Sequence, residues 1–70
     1  MSRYKLINYR TKEVAIFEWG DEFCGPNNVA VICYGLPLKG EINTSLLSLN
    51  DARKVWEEKR NRGYIIKVYE

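Results

Sequence analysis

Apolar and polar residues alternate at the start of the chain, in a pattern that predicts two β-strands. Residues 3–9 read RYKLINY and residues 13–19 read EVAIFEW, and both runs are rich in β-branched and aromatic side chains. The polar segment RTKE between them predicts a hairpin connection. The continuous apolar run NVAVICYG, residues 28–35, predicts a third strand that is buried on both faces.

Two segments rich in turn-forming residues interrupt this pattern. Residues 20–28, GDEFCGPNN, combine glycine, proline, asparagine and aspartate, and they predict an irregular loop. Residues 36–47, LPLKGEINTSLL, contain Pro37 and Gly40 and follow no clear period. They predict a second long loop, with a short extended piece near Leu46.

Helical periodicity begins at Ser48. Ser48 and Asp51 have the spacing of a capping box, and Gly63 can adopt the left-handed conformation that ends a helix. One apolar stripe follows at helical spacing: Leu49, Ala52, Val55 and Trp56. The run YIIKVYE, residues 64–70, then predicts a last strand.

The predicted element order is β-β-β-α-β in a single α+β domain, residues 1–70. Seventy residues are enough for one domain, and the 46% apolar share is that of a folded protein. Helices that follow a run of strands usually pack on one face of an antiparallel sheet. We therefore expect a small, mostly antiparallel sheet with one helix on one face.

One helix leaves the other face of such a sheet uncovered. If Lys67 points to water, Tyr64, Ile66 and Val68 face the helix. The same alternation assigns a second, apolar set to the opposite face: Ile7, Tyr9, Ala15, Phe17, Trp19, Ala30, Ile32, Tyr34, Ile65 and Tyr69. Three coverings are open: loop residues (Phe23, Leu36, Leu38 and Ile42), curling of the sheet into a partial barrel, or a partner.

Aromatic residues on that face predict a protein-interaction site. Buried aromatic side chains supply much of the binding energy of protein interfaces, whether with another protein or with a second copy of the chain. An unpaired edge strand offers another route to such association. A stacking platform for single-stranded nucleic acid would use the same residue types. The interaction residues predicted here are Tyr9, Phe17, Trp19, Tyr34 and Tyr69.

Charge supports an alternative function in nucleic-acid binding. The chain has 11 basic and 9 acidic residues, a net charge of +2. The candidate phosphate contacts are Arg53, Lys54, Arg60 and Arg62 on the helix, with Arg3, Lys5, Arg10 and Lys12 near the first hairpin. Glu57 and Glu58 can pair with helix cations at i, i+4 spacing, which is typical of an ordinary solvated helix surface.

The chain has few of the residue types that catalysis and metal binding require. There is no histidine, and the two cysteines, Cys24 and Cys33, lie nine positions apart, so zinc ligation and a Cys-His nucleophile are excluded. The adjacent Asp21 and Glu22 are typical of a solvated turn, and the glycines match no phosphate-binding fingerprint. We expect a protein that is not an enzyme and uses no cofactor or metal.

The location of the protein follows from what the chain does not contain. It shows neither a signal-peptide pattern nor an apolar run near the roughly 20 residues that cross a membrane. These features predict a cytoplasmic protein with reduced thiols and no membrane partner.

The overall pattern resembles a family of uncharacterised small proteins of marine cyanobacteria, a domain of unknown function. The resemblance spans most of the chain, from an opening strand with an aromatic residue and Leu-Ile to an ARxxW helix that leads into Gly-aromatic. The matching residues are Tyr4, Leu6, Ile7, Val14, Phe17, Val29, Val31, Gly35, Pro37, Ala52, Arg53, Trp56, Gly63 and Tyr64. The resemblance implies a cytoplasmic accessory protein of a cyanobacterium or its phage, and no particular site.

Overall fold

The computed structural model describes residues 2–20, 25–37, 40 and 42–68. These residues form one five-stranded antiparallel sheet with a helix packed on one face, which confirms the predicted α+β class. The elements, in chain order, are β1 (Ser2–Asn8), β2 (Glu13–Gly20), β3 (Gly25–Gly35), β4 (Asn43–Ser48), α1 (Leu49–Asn61) and β5 (Ile65–Val68). In space the strands lie in the order β4-β3-β2-β1-β5.

The first four strands form a meander, and α1 carries the chain back across the sheet. β4 lies at one end of the sheet, and β5 lies at the other end, antiparallel to β1. Because each strand of the meander is a neighbour in both sequence and space, short connections are enough to build it. The helix alone makes the long crossing, and it covers one face as it does so.

β4 corrects the prediction of a loop through residue 47. It pairs with β3 from Asn43 opposite Cys33 to Ser48 opposite Asn28. As an end strand it is exposed at every residue except the half-buried Leu47. A strand that is exposed on both faces has no apolar–polar alternation, and alternation is the signal from which strands are predicted.

β3 also begins earlier than the sequence predicted. It starts at Gly25 instead of residue 28, while residues 21–24 lie outside the described residues. The register between β2 and β3 shifts between Glu18 and Gly20, and Pro26 lies in the β3 segment opposite this shift. A proline has no N–H to donate, so strands tolerate it at such irregularities.

Both ends of α1 have the caps that the sequence predicted. The Ser48 hydroxyl accepts a hydrogen bond from the Asp51 N–H at 3.2 Å. At the other end Gly63 has φ +99°, and the N–H of Tyr64 donates to the Lys59 carbonyl at 3.1 Å. This is a Schellman motif, and it satisfies carbonyls that the last turn would otherwise leave without partners.

The core lies between α1 and the sheet. Its buried members come from every element except β4 and β5: Leu6, Ala15, Phe17, Val29, Val31 and Ala52, joined by Tyr64 just before β5. Half-buried residues pack around them: Trp19, Cys33, Leu47, Val55 and Trp56. The predicted helix stripe is therefore confirmed for Ala52, Val55 and Trp56, while Leu49 is 40% exposed at the start of the helix.

The strand faces agree with the prediction in β1, β3 and β5 but not in β2. Phe17 lies opposite Tyr4 and Val31 and packs under the helix, together with Ala15 and Trp19. The assignment of these three β2 residues to the opposite face was wrong. Four consecutive apolar residues, 14–17, fit either phase of the alternation, and a shift of one residue exchanges the faces.

The face of the sheet opposite α1, the outer face, is closed at its centre and open at its margins. Ile7, Val14 and Ala30 are each less than one tenth exposed, whereas Leu46 on β4 is 62% and Ile65 on β5 is 43% exposed. The loop residues Leu36 and Ile42 are themselves 42% and 52% exposed, and Phe23 and Leu38 lie outside the described residues. The sheet does not close, since β4 and β5 are its two ends.

Candidate interaction surfaces

An open apolar groove of about 240 Å³ lies between the first half of α1 and the strands β1, β2 and β3. We call it the aromatic groove. Its lining consists of Tyr4, Phe17, Trp19, Val29, Leu49, Ala52, Arg53 and Trp56. Among the described residues of that lining, Arg53 is the one that carries a charge.

Strand register and helix packing bring the four rings of the groove together. Tyr4 and Phe17 are direct neighbours across β1 and β2, and Trp19 is two residues further along the same face. The Tyr4 ring lies 5.5 Å from that of Trp19 and 5.8 Å from that of Trp56. Trp56 also meets Phe17 edge to face at 5.2 Å, a favourable arrangement of aromatic quadrupoles. The rings are therefore fixed by one another.

The rim of the groove is accessible. Tyr4 is 38% and Leu49 is 40% exposed, and Trp19 and Trp56 are half-buried. Arg53 is exposed. Tryptophan, tyrosine and arginine are the residue types that most often dominate the energetics of protein interfaces. In its described lining the groove thus combines a preformed apolar floor with the cation of Arg53.

The structure does not bring the five predicted interaction residues into one surface. Trp19 lies in the aromatic groove, and Phe17 forms its floor with only 3% exposure, so Phe17 is not available on the outer face. Tyr34 is half-buried on the outer face, and Tyr9 is 53% exposed in the β1–β2 turn. Tyr69 lies outside the described residues. The sequence identified the groove's Trp19 but missed its neighbours Tyr4 and Trp56, because their contact depends on packing between distant segments.

A second, polar cavity of about 320 Å³ lies at the C-terminal end of α1. We call it the basic cleft. It is lined by Asn8, Arg10, Thr11, Glu13, Lys59, Asn61, Arg62 and Tyr64. The fold therefore brings one cation of the first hairpin, Arg10, together with two cations of the helix end, Lys59 and Arg62.

Several of these cations already have structural contacts. Arg60 Nη1 donates to the Tyr64 carbonyl at 2.8 Å, and Lys59 Nζ lies 4.9 Å from the centre of the Tyr64 ring. Arg62 Nη2 is 4.0 Å from Glu58 Oε2, one of the predicted helix pairs. In the hairpin, Arg3 forms an ion pair with the buried Glu18.

The predicted nucleic-acid contacts are also divided between surfaces. Arg53 lies at the aromatic groove and Arg62 in the basic cleft, at opposite ends of the helix. Lys54 and Arg60 are exposed on α1 and line neither cavity. These four residues do not form one basic patch.

Asn8 organises the basic cleft, and no sequence motif points to it. Asn8 is buried, with only 4% of its surface exposed. Its Oδ1 accepts hydrogen bonds from the N–H groups of Arg10 at 3.0 Å and Thr11 at 3.2 Å. Its Nδ2 donates to the Arg62 carbonyl at 3.2 Å. One side chain thus ties the first hairpin turn to the end of the helix.

Tyr64 completes the wall of the cleft. Its hydroxyl donates to Glu13 Oε1 at 3.2 Å. Burial raises the pKa of Tyr64, and the nearby Glu13 carboxylate raises it further. The phenol is therefore a hydrogen-bond donor at neutral pH and does not act there as a base.

The described part of the chain contains neither a cluster of metal-ligating side chains nor a membrane-spanning helix. No group of three or more cysteine, aspartate or glutamate residues in that part could hold a metal ion. No helix in that part is long enough and apolar enough to span a membrane.

In the described residues the fold and these surfaces define an α+β protein: an open, five-stranded antiparallel sheet carries a helix, and two contrasting cavities lie at the ends of that helix. Comparison with known proteins yields no match to a family model, to a curated protein or to a solved structure. The resemblance to the cyanobacterial family stays a prediction.

Proposed function

We propose that this protein is a small, non-catalytic interaction module that binds another protein through the aromatic groove. The observation that supports this proposal is the accessible set of Tyr4, Trp19 and Trp56 rings around an apolar floor. Soluble proteins seldom leave a cluster of large aromatic residues open to water without a use for it. The proposal keeps aromatic residues as the anchors of the interface, but it places them on the helix side of the sheet and not on the outer face.

The lining of the groove also indicates the chemistry of the partner. An apolar or aromatic side chain would fill the groove, because the floor offers no charge. A carboxylate next to that side chain would pair with Arg53 at the rim, since the guanidinium can donate two parallel hydrogen bonds. The proposed ligand is therefore a protein segment with a large apolar residue beside an acidic one.

An anionic aromatic dye, 8-anilinonaphthalene-1-sulfonate, tests the groove without knowledge of the partner. It has an apolar body and one negative charge, and binding near Trp19 and Trp56 should quench their fluorescence while the dye's emission rises. We expect Leu49→Asp and Arg53→Glu to weaken dye binding at least several-fold, because both place negative charge at the rim. Lys54→Glu is the matched control, with the same charge reversal on the adjacent residue, and it should bind the dye like the wild type.

The same variants identify the natural partner. Immobilised wild-type protein and Lys54→Glu should capture a common protein from extract, and Arg53→Glu should lose it. If dye and partner bind all the variants equally, the aromatic groove is not the binding site. Thermal unfolding of each variant shows whether a lost interaction reflects a lost fold.

Nucleic-acid binding is the second candidate, and the basic cleft favours it. Arg10, Lys59 and Arg62 line one cavity that is large enough to hold a phosphate group. Glu13 in the same lining and the negative end of the α1 dipole oppose an anion there, which is why this function ranks second.

Oligonucleotide binding measured over a range of salt concentrations tests this second function. Affinity should fall steeply with salt, and Arg10→Ala and Arg62→Ala should each reduce both the affinity and its salt dependence. Lys54→Ala, an exposed helix cation outside the cleft, is the control. No binding at low salt would eliminate the nucleic-acid function and leave the protein-binding proposal untouched.

A further inference from the structure

The two end strands of the sheet differ in how well they are protected against pairing. β5 is four residues long, IIKV, and contains Lys67. Short length and a lysine are two common ways in which proteins block the edge of a sheet. β4 has six residues, NTSLLS, with neither a charged residue nor a proline. Among the described strands, β4 pairs with β3 alone, so its other side presents backbone N–H and C=O groups outward.

Exposed apolar side chains also lie along this edge. Of the eight large hydrophobic residues that the structure shows as exposed, two lie in β4 or directly before it: Ile42 at 52% and Leu46 at 62%. Leu46 is the most exposed of the eight. The edge therefore offers both unpaired backbone groups and apolar side chains, and a β-strand is the structure that satisfies both.

We propose that β4 pairs antiparallel with β4 of a second copy of this chain, which joins two sheets into one of ten strands. A twofold axis perpendicular to the sheet would place both copies of α1 on the same side, and it would pass near Ser45 and Leu46. Three residues of each β4 would then contribute about six hydrogen bonds between the chains, two for each closely bonded pair. This surface and this partner are separate from the aromatic groove and its proposed ligand.

The composition of β4 supports a second copy over a foreign strand. Across a twofold axis each residue meets itself or a near neighbour, so any charge in the strand would face the same charge. β4 carries no charge, and self-pairing therefore meets no repulsion. It also brings the exposed Leu46 beside the partner's Leu46 or Thr44, so that apolar surface on each copy leaves water.

Sedimentation equilibrium at increasing protein concentration measures the association directly. We expect the mass to rise from the 8.2 kDa of one chain to twice that value. Leu46→Lys and Leu46→Glu should each remain at the mass of one chain, because each places two like charges directly or diagonally across the twofold axis from each other. A mixture of the two should restore the dimer, since opposite charges then meet, and this rescue separates loss of pairing from loss of folding.

Ile65→Lys on β5 is the matched control, with the same charge added to an exposed apolar residue of the opposite edge, and it should still dimerise. A wild-type protein that stays at 8.2 kDa at every concentration overturns the proposal. So does a dimer that survives both Leu46 substitutions, or a mixture that does not re-form it. None of these outcomes affects dye or partner binding in the aromatic groove, so the two proposals fail separately.

Discussion

Replacing Asn8 with alanine tests how far one side chain holds the hairpin and the helix end together. The change removes three hydrogen bonds, those with the N–H groups of Arg10 and Thr11 and with the Arg62 carbonyl. Each bond contributes about 0.5–1.5 kcal/mol net, and the lengths of 3.0–3.2 Å favour the middle of that range. We expect Asn8→Ala to cost about 2–3 kcal/mol. A chain of this length has a stability of about 4–10 kcal/mol, so the loss is a large part of the total.

Asn8→Asp separates the contribution of Oδ1, which accepts from the turn, from that of Nδ2, which donates to the Arg62 carbonyl. The carboxylate still accepts from the turn N–H groups, but it cannot donate to the Arg62 carbonyl when it is ionised. We therefore expect the aspartate to cost at least about 1 kcal/mol, the value of the lost hydrogen bond, because the buried carboxylate also lies against the Arg62 carbonyl oxygen. Asn61→Ala, an exposed asparagine that lines the same cleft, is the control and should change the stability by less than about 0.5 kcal/mol.

Urea unfolding followed by tryptophan fluorescence measures these differences, since Trp19 and Trp56 are both half-buried. With a slope of about 1 kcal/mol per molar urea, typical of a small domain, Asn8→Ala should lower the midpoint by about 2–3 M. The reasoning is refuted if Asn8→Ala unfolds within about 0.5 M of the wild type. An aspartate that is less damaging than the alanine would show that the turn bonds contribute, since those are the bonds that the carboxylate keeps.

Three further changes test the helix ends and the cleft wall. Ser48→Ala should cost about 1 kcal/mol in thermal unfolding through loss of the bond to the Asp51 N–H, whereas Ser48→Asp should keep it. Gly63→Ala should cost about 1–2 kcal/mol of stability, because alanine is strained at the φ of +99°. A clash does not contribute, since the atom nearest to the added Cβ, Asn8 Nδ2, is 3.9 Å away. An equal cost for Gly63→Asn would contradict this cause. Because the pKa of Tyr64 is raised in the folded state, the wild type should lose stability as the pH rises above about 10, where the unfolded tyrosine ionises first. Urea unfolding at alkaline pH should show a smaller loss for Tyr64→Phe, and an unchanged pH profile would contradict the cause.

Local signals in the sequence were sufficient to predict the helix and four of the five strands, all except β4. Ser48 and Gly63 mark the ends of α1 through bonds to residues no more than five positions away, so the sequence around them contains the whole signal. The strand β4 has no such signal, because its pairing with β3 depends on residues about ten to twenty positions earlier. An end strand without apolar–polar alternation, such as β4, is therefore easily mistaken for a loop.

The candidate sites were less accessible to prediction because they join distant segments. Tyr4, Trp19 and Trp56 meet across β1, β2 and α1, and the error in the phase of β2 had separated Trp19 from both. The position of Glu18 would have decided which face each β2 residue occupies. In the observed phase it lies on the outer face, where an ion pair with Arg3 satisfies its charge. The face that carries a buried charged residue can be predicted correctly only when the ion-pair partner of that residue is known, and here the partner, Arg3, lies on another strand.

The basic residues at the end of α1 show why a count of charges is a poor guide to nucleic-acid binding in so small a protein. Arg60 holds the carbonyl of Tyr64, Lys59 covers that ring, and Arg62 lies near Glu58. These contacts direct the chain from the helix into β5, and the helix dipole favours cations in the same place whatever the protein binds. Mutating this cluster would therefore weaken the fold and any phosphate binding together. Arg10, on the hairpin side of the basic cleft, takes no part in these helix-end contacts through its side chain as far as the described residues show, so its substitution is the more discriminating test of that function.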